Sequence, residues 1–399
     1  MNIVLVNPEH PTPTGRDHGG IATFVYNLAT ALGSVGNRVH VFVREGIVPD
    51  PLASMVRLHY FGYERVRRPF SFLHGDSVDW EIGCSRALRT AILRLHESEQ
   101  IDIVEIPEYG GLAIAFNPPL PFPVVVHFHT PSEMVDRLNK VEADRVRSRT
   151  YRLENRALRN AAGFKCTSES LKKRLRTYFS IPPNRVMVIR NPMSTEAFDA
   201  IEKQTRGARD RINILFSGRL ERRKGAEFLV RFVNDILDLD HRVNLTIAGE
   251  TETGESLNYR MEMENRTRTE NRDRVWFPGA LSREHIYVLY RRSTIFLFPS
   301  LFDNAPNALF EAIAAGLPVI AADTGGVDEI IRHGENGLLF PLDDPVYLIR
   351  HIRKLIQDCD LAETFAFSAY TDLKKHYSPT LIANKTQQFY RSIQKPCGT

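Results

Sequence analysis

Ile3-Val4-Leu5-Val6, closed by Asn7-Pro8, is a continuous apolar run of the kind expected of a strand covered on both faces of a parallel sheet. The Gly-bearing stretch Thr14-Gly15-Arg16-Asp17-His18-Gly19-Gly20 follows it. Apolar residues then recur at helical spacing, Ile21, Phe24, Val25, Leu28, Ala29 and Leu32, and stop at Gly33 and Gly36. Val39-His40-Val41-Phe42-Val43 resumes the strand pattern. The result is a βαβ unit, which makes the fold class α/β.

The same grammar continues outward from this unit. Strand patterns fall at 101–106, 124–129, 164–167 and 186–189, with helical stretches at 141–161 and 169–178. After a polar stretch at 202–210 the alternation restarts, with strands at 213–216, 244–248, 275–277, 295–299 and 318–321. Helices are read between them at 226–237, 283–291, 307–315 and 345–357, and a last helical pattern at 378–393 carries Leu381, Ile382, Phe389, Tyr390 and Ile393. Two doubly wound Rossmann-like domains are therefore expected, 1–192 and 193–377, with the helix 378–399 packing back on the first. Ligands belong at the C-terminal ends of their strands, and the cleft between the domains is the expected active site.

Composition sets the limits of function. The chain has 399 residues, 43% hydrophobic and 25% charged, enough for about two domains with real cores at roughly 100–200 residues each. Cys84, Cys166, Cys359 and Cys397 are scattered with no CxxC pair, so neither a zinc site nor a disulfide framework is indicated. The opening MNIVLVNPEH has no basic region ahead of an apolar one, and no apolar run approaches the ~20 residues that span a bilayer. A cytoplasmic location is expected. The net charge of +4 does not point to nucleic acid. Residues 140–180, however, hold 12 Lys/Arg against 4 Asp/Glu, which reads either as a solvated helix face or as a surface for anionic lipid or an anionic acceptor. Residues 60–80 interleave Tyr60, Phe61, Tyr63, Phe70, Phe72 and Trp80 with Arg65, Arg67 and Arg68, a core-packed insertion or an aromatic and basic contact surface.

Two segments carry chemistry. Phe216-Ser217-Gly218-Arg219-Leu220-Glu221-Arg222-Arg223-Lys224-Gly225 lies between a strand and a helix. Gly218 lets backbone approach a ligand, and Arg219 and Lys224 set two cations near a helix start whose N–H groups already favour an anion, so the loop suits a diphosphate. Neither a P-loop nor a GxGxxG fingerprint is present, and a surface loop is the competing reading. The second segment, Pro299-Ser300-Leu301-Phe302-Asp303-Asn304-Ala305-Pro306-Asn307-Ala308-Leu309-Phe310-Glu311-Ala312, holds two carboxylates eight residues apart. They suit the hydroxyls of a polyol; helix capping by Asp303 and a surface Glu311 would also explain them.

In this order the segments resemble the glycosyltransferase family 4 enzymes of GT-B fold. The resemblance runs along nearly the whole chain: His18-Gly19-Gly20, His127-Phe128-His129-Thr130, Thr167-Ser168-Glu169, Asn191-Pro192, Gly218-Arg219 with Lys224, Gly249, Gly279, Asp303-x7-Glu311, Thr324-Gly325-Gly326 and Asn336-Gly337 are collinear with the family's motifs. It implies transfer of a hexose-type sugar from a nucleotide-diphosphate sugar to a hydroxyl, with retention of configuration and with no metal or other cofactor. The second domain would bind the donor and the first the acceptor, which includes lipid-linked and anionic candidates and a peripheral membrane contact.

The resemblance also assigns residues. Arg219 and Lys224 would stabilise the departing diphosphate, Glu311 the ribose hydroxyls and Asp303 the sugar. Gly218, Thr324, Gly325 and Gly326 would help hold the donor, and Gly19 and Gly20 would admit the phosphates and acceptor. His129 would face the transferred sugar; His127, two residues earlier, shares its strand face and is the residue most easily confused with it. Asp303 departs from the family's E-x7-E pattern by one methylene, which bears on donor geometry. An epimerase-like GT-B enzyme and a non-catalytic nucleotide-sugar-binding protein are the alternatives, the second disfavoured by intact Arg219, Lys224 and Glu311. A pyridoxal phosphate-dependent phosphorylase is disfavoured by chain length.

Overall fold

The computed structural model describes residues 1–8, 19–45, 55–65, 77–117, 119–199, 211–304 and 306–394. Outside them lie Thr14 to His18 of the first loop, Arg67, Arg68, Phe70 and Phe72 of the aromatic stretch, the polar stretch at 202–210, Ala305 and Cys397. The chain divides into two compact units, one of Met1–Pro192 with Tyr377–Thr399, the other of Met193–His376. The return to the first unit thus begins one residue earlier than the sequence pattern suggested.

In the first unit, β1 (Asn2–Asn7), β2 (Arg38–Arg44), β3 (Val56–Phe61), β4 (Ile103–Pro107), β5 (Val124–Phe128), β6 (Gly163–Cys166) and β7 (Val186–Val188) form one sheet in the order β3-β2-β1-β4-β5-β6-β7. Every pair in it is parallel. Helix Gly20–Ser34 buries Phe24, Val25, Leu28, Ala29 and Leu32, the residues whose spacing marked it out. Helix Ser77–Glu99 buries Cys84, Leu88 and Ile92 on one face. The helix read at 141–161 is shorter, Arg145–Ala157, because Asp144 caps it by accepting the Arg147 N–H at 2.8 Å; a separate helix, Ser132–Leu138, precedes it.

The last helix, Pro379–Gln394, belongs to this unit. Its Ile382, Ala383, Phe389 and Tyr390 share a core cluster with Ile3, Leu5 and Phe24, and Gln387 Nε2 donates to Asn37 Oδ1 at 2.9 Å.

The second unit repeats the architecture. Its strands are β8 (Ile212–Ser217), β9 (Val243–Ala248), β10 (Val275–Gly279), β11 (Ile295–Phe298), β12 (Val319–Ala322) and β13 (Leu338–Phe340), in the order β10-β9-β8-β11-β12-β13, again all parallel. Helix Ala226–Leu237 buries Leu229, Val230, Val233, Ile236 and Leu237 against this sheet. Helix Cys359–Tyr377, which the sequence reading did not mark, buries Ala362, Phe365, Ala366, Ala369 and Leu373 at a 3.6-residue repeat.

Both sheets reverse their order at one place, between β1 and β4 in the first and between β8 and β11 in the second. Loops leaving such a pair diverge and leave a crevice at the strand C-termini, where an α/β sheet takes its ligand.

Candidate active site

The crevice of the second unit is flanked by Gly218 after β8 and Asp303 after β11. Gly225 fixes how these loops meet. Its φ is +87°, and a Cβ added there would stand 2.2 Å from the Pro299 carbonyl oxygen, so only glycine lets the turn lie against the end of β11. Leu301 N donates to the Arg223 carbonyl at 2.8 Å across the same seam. The loop after β12 is pinned in turn: Gly326 N donates to the Asp303 carbonyl at 2.9 Å and Thr324 Oγ1 to the Ser300 carbonyl at 2.7 Å. A Cβ on Gly325, whose φ is +65°, would stand 2.7 Å from the Asp303 carbonyl oxygen. Gly218, Lys224, Asp303, Thr324, Gly325 and Gly326 are thereby brought together.

Lys224 Nζ is ion-paired with the Asp303 carboxylate and lies 5.9 Å from the centre of the Phe298 ring. Burial pulls the Lys224 ammonium below its ordinary value, and Asp303 works in the opposite direction. Arg223, which the sequence reading passed over, donates to Glu221 Oε1 at 2.6 Å and lies 3.8 Å from Asp303 Oδ2. Arg219 is different: its side chain is 66% exposed and approaches Glu221 only at 3.8 Å. The turn therefore presents one outward guanidinium above a partly buried, paired ammonium.

Helices Ala226–Leu237 and Asn307–Ala314 both start at this crevice, with Gly225 and Pro306 in their N-cap positions and no side-chain cap on either. Asp303 is thus not a helix cap, the role that composition alone allowed it. Nor is Glu311 a solvated surface acid: burial pushes its carboxyl up to about 7, against the opposing pull of Arg283 and Tyr290. Tyr290, on helix Arg283–Arg292, is 0% exposed, and its phenol faces Glu311 and Ser217; burial, then Glu311, push it well above the ordinary range. No local signal marks Tyr290, since its relation to Glu311 exists only once two helices pack.

In the first unit, Gly19 occupies the N-cap of helix Gly20–Ser34, which has no acid in its first turn, and an added Cβ at Gly20 would meet nothing within 4 Å. His129 lies just past β5. Its N–H donates to both oxygens of Glu108, at 2.9 and 3.0 Å, and Thr130 Oγ1 donates to its carbonyl at 2.8 Å. The His127 and His129 rings stack with centroids 4.4 Å apart and planes 6° from parallel, and Phe24 meets them edge-on at 4.3 and 5.0 Å. His127 is enclosed at 1% exposure, whereas His129 is only partly covered. Burial, reinforced by His127, holds the His129 imidazole well below its usual pKa.

Further charged groups sit beneath. Glu105 of β4 meets Lys165 Nζ at 2.7 Å, His127 Nδ1 at 3.1 Å and the Tyr390 hydroxyl at 2.5 Å, all buried. Glu108 and Glu154 are buried carboxyls pushed up to about 8 and about 7, chiefly by burial. The signal for Glu105 and Lys165 was present in the sequence as charges inside apolar strand runs.

Tandem parallel sheets with the same order reversal, and a cation-rich turn at the second crevice, are the marks of a GT-B glycosyltransferase. The chain belongs to glycosyltransferase family 4: the family model described as "Glycosyltransferase Family 4" matches residues 18–197, and that described as "Glycosyl transferases group 1" matches 197–372. An uncharacterised glycosyltransferase of Methanocaldococcus jannaschii is 25% identical over the full length of both chains. Among solved structures, the sucrose-phosphate synthase of Thermosynechococcus elongatus superposes with a TM-score of 0.77 at 21% identity, covering 98% of each chain. The Anabaena protein HepE in complex with UDP-glucose superposes with a TM-score of 0.71 at 17% identity, covering 98% of this chain and all of that one. No helix among the described residues is long and apolar enough to cross a membrane.

Proposed function

We propose that this glycosyltransferase moves a hexose from a nucleotide-diphosphate sugar to a hydroxyl acceptor with retention of anomeric configuration. The observation that carries the reading is the turn at the second unit's crevice, where exposed Arg219 and the Lys224–Asp303 pair stand beside two helix N-termini without side-chain caps. Such N-termini and cations together suit a diphosphate. The UDP-glucose bound by the Anabaena neighbour supports a donor of this class.

In the reaction the bond from the sugar's anomeric carbon to the β-phosphate oxygen breaks, and the acceptor oxygen bonds that carbon on the same face. The acceptor's proton passes to the departing phosphate oxygen. Arg219 and Lys224 stabilise the charge that grows on the diphosphate, the term expected to dominate, so that no metal or other cofactor is required. Gly218, Thr324, Gly325 and Gly326 hold the donor, Glu311 accepts from its ribose, and Asp303 contacts the sugar. Gly19 and Gly20 admit the phosphates and acceptor, and His129 meets the transferred sugar. The acceptor binds the first unit, whose basic helix Arg145–Ala157 suits an anionic or lipid-linked acceptor at the inner face of a membrane.

A thermal-shift panel of UDP-, GDP- and ADP-sugars tests the donor class, since a bound donor raises the midpoint by mass action. Proton NMR of the first product then reports its anomeric configuration, and a parallel assay with EDTA reports any need for a metal. An inverted product, or activity lost to the chelator, overturns the mechanism.

A further inference from the structure

We propose that Glu105 is a positioning residue for His129, acting through the His127 ring, and that Lys165 and the C-terminal helix's Tyr390 lock its carboxylate in place. The inference rests on the reading above that His129 meets the transferred sugar.

The geometry runs from the core outward. Glu105, Lys165, His127 and Tyr390 are at most 3% exposed, and three donors converge on one carboxylate, at 2.7 Å from Lys165 Nζ, 3.1 Å from His127 Nδ1 and 2.5 Å from the Tyr390 hydroxyl. Strand register explains the convergence. His127 of β5 stands directly opposite Lys165 of β6, while on the other side β4 pairs Pro107 with His127, which puts Glu105 two residues along on the same face.

Stability alone is a poor reason for this arrangement. A buried ion pair is often matched or bettered by apolar residues of the same volume, and losing either partner strands a charge. What the arrangement does is define one ring. A carboxylate accepts only, so His127 carries its proton on Nδ1 and leaves its Nε2 lone pair free of any partner in the described structure. Burial and Lys165 hold the His127 imidazole down to about 4, so the ring is neutral.

That oriented neutral ring is one wall of the place His129 occupies. It stacks face to face on His129 while Phe24 closes the edge of both, and Glu108 holds the His129 backbone N–H. A turn of the His129 ring breaks its stack on His127, and a turn of the His127 ring breaks its bond to Glu105.

The test uses the full chain labelled with 15N-histidine, without ligand, and long-range proton-nitrogen spectra at neutral pH. His127 should appear as the Nδ1–H tautomer. Tyr390→Phe, which deletes one hydroxyl and keeps the ring, should move the ring nitrogens of both His127 and His129 while far-ultraviolet circular dichroism and the melting cooperativity stay unchanged. With whichever of UDP-glucose, GDP-mannose and ADP-glucose raises the melting midpoint most, the same variant should lower kcat about three- to tenfold and leave KM in place. Glu105→Gln should enlarge the spectral change wherever it folds; Tyr390→Phe carries the test if it does not. An Nε2–H or doubly protonated His127, or His129 nitrogens that ignore Tyr390→Phe, overturns the proposal. His129→Ala separates the two claims: full activity in that variant overturns the sugar-facing reading even with the spectral coupling intact, whereas an inactive His129→Ala with no coupling overturns only the role of Glu105.

Discussion

Lys224 Nζ and the Asp303 carboxylate form an ion pair that ties the turn after β8 to the loop after β11. The ammonium proposed to meet the diphosphate is thus paired with a carboxylate of the neighbouring loop. Lys224→Ala and Arg219→Ala should each lower kcat by ~10²–10³, as for loss of one donor to a charge that grows in the transition state. Activity of both variants within threefold of the parent would remove the assignment. Asp303→Glu, which adds the methylene, should chiefly change the ratio of kcat/KM among sugar epimers sharing one base; identical ratios would show that Asp303 does not touch the sugar.

Glu311→Ala should weaken nucleoside diphosphate binding by roughly 1.5–3 kcal/mol, the worth of hydrogen bonds to a charged group. Calorimetry decides, and unchanged affinity would reject the ribose role. Tyr290→Phe, which keeps the ring beside Glu311 and removes only the hydroxyl, should give a smaller loss in the same direction.

The pH dependence of stability follows from buried carboxyls whose folded values lie above the ordinary 4.5: Glu108 at about 8, Glu154 and Glu311 at about 7. A raised acid stabilises the fold fully below its unfolded value, and that contribution disappears as pH rises through the folded one. His40, His127 and His129, lowered chiefly by burial, act in the opposite sense below about pH 6.5, so the melting midpoint of the free protein should fall between about pH 6.5 and pH 8. Glu154→Gln should flatten the fall; a curve parallel to the parent's would show that Glu154 is not among its causes. Glu105 has the opposite sign: burial pushes it up, Lys165 and His127 outweigh that, and its contribution is lost toward acid instead.

Two glycines at loop-to-helix turns give contrasting expectations. Gly225→Ala forces a side chain at φ +87° into the Pro299 carbonyl and should cost at least ~2 kcal/mol by denaturant melting. Gly20→Ala meets no neighbour within 4 Å and should leave the melt unchanged while raising KM or lowering kcat, because the added methyl occupies space assigned to ligand. A Gly20→Ala enzyme with parental kinetics would separate that glycine from the site.

Helix Arg145–Ala157 carries Arg145, Arg152 and Arg156 on exposed positions. Binding of the protein to vesicles rich in anionic lipid should be measurable at low salt and fall as added salt shortens the screening length to ~8 Å at physiological ionic strength. No binding at low salt would assign this face to a soluble acceptor.

The sheet strands with neighbours on both sides were legible because a strand covered on both faces is apolar without interruption, as in Ile3–Val6 and at 295–298. Of the outer strands, Val186–Val188 and Val275–Gly279 were read as well, but Val56–Phe61 and Leu338–Phe340 were not. Val56–Phe61 pairs on one side only and tolerates Arg57, His59 and Tyr60, so its pattern is neither alternating nor continuous. The crevice residues Gly218, Lys224, Asp303 and Gly325 could be read because each is tied to a turn with its own local chemistry. Tyr290, Glu108 and Glu154 could not, since each owes its environment to the packing of segments far apart in the chain. Glu105, His127 and Lys165 fall between these cases: each was visible as a polar residue within an apolar run, but their convergence needed the strand register.

The helix Pro379–Gln394 returns to the first unit after the whole of Met193–His376 has intervened. During synthesis this reverses the order in which the parts can be finished. The second unit is one continuous stretch whose sequence is complete once His376 has been added. The first unit, although begun earlier, still lacks the layer that covers helix Gly20–Ser34 and supplies the Tyr390 hydroxyl to Glu105. The part of the chain made first is therefore the last to be sealed. A chain cut back to residue 376 would keep the full sequence of the second unit and leave the buried Glu105 of the first without its Tyr390 donor.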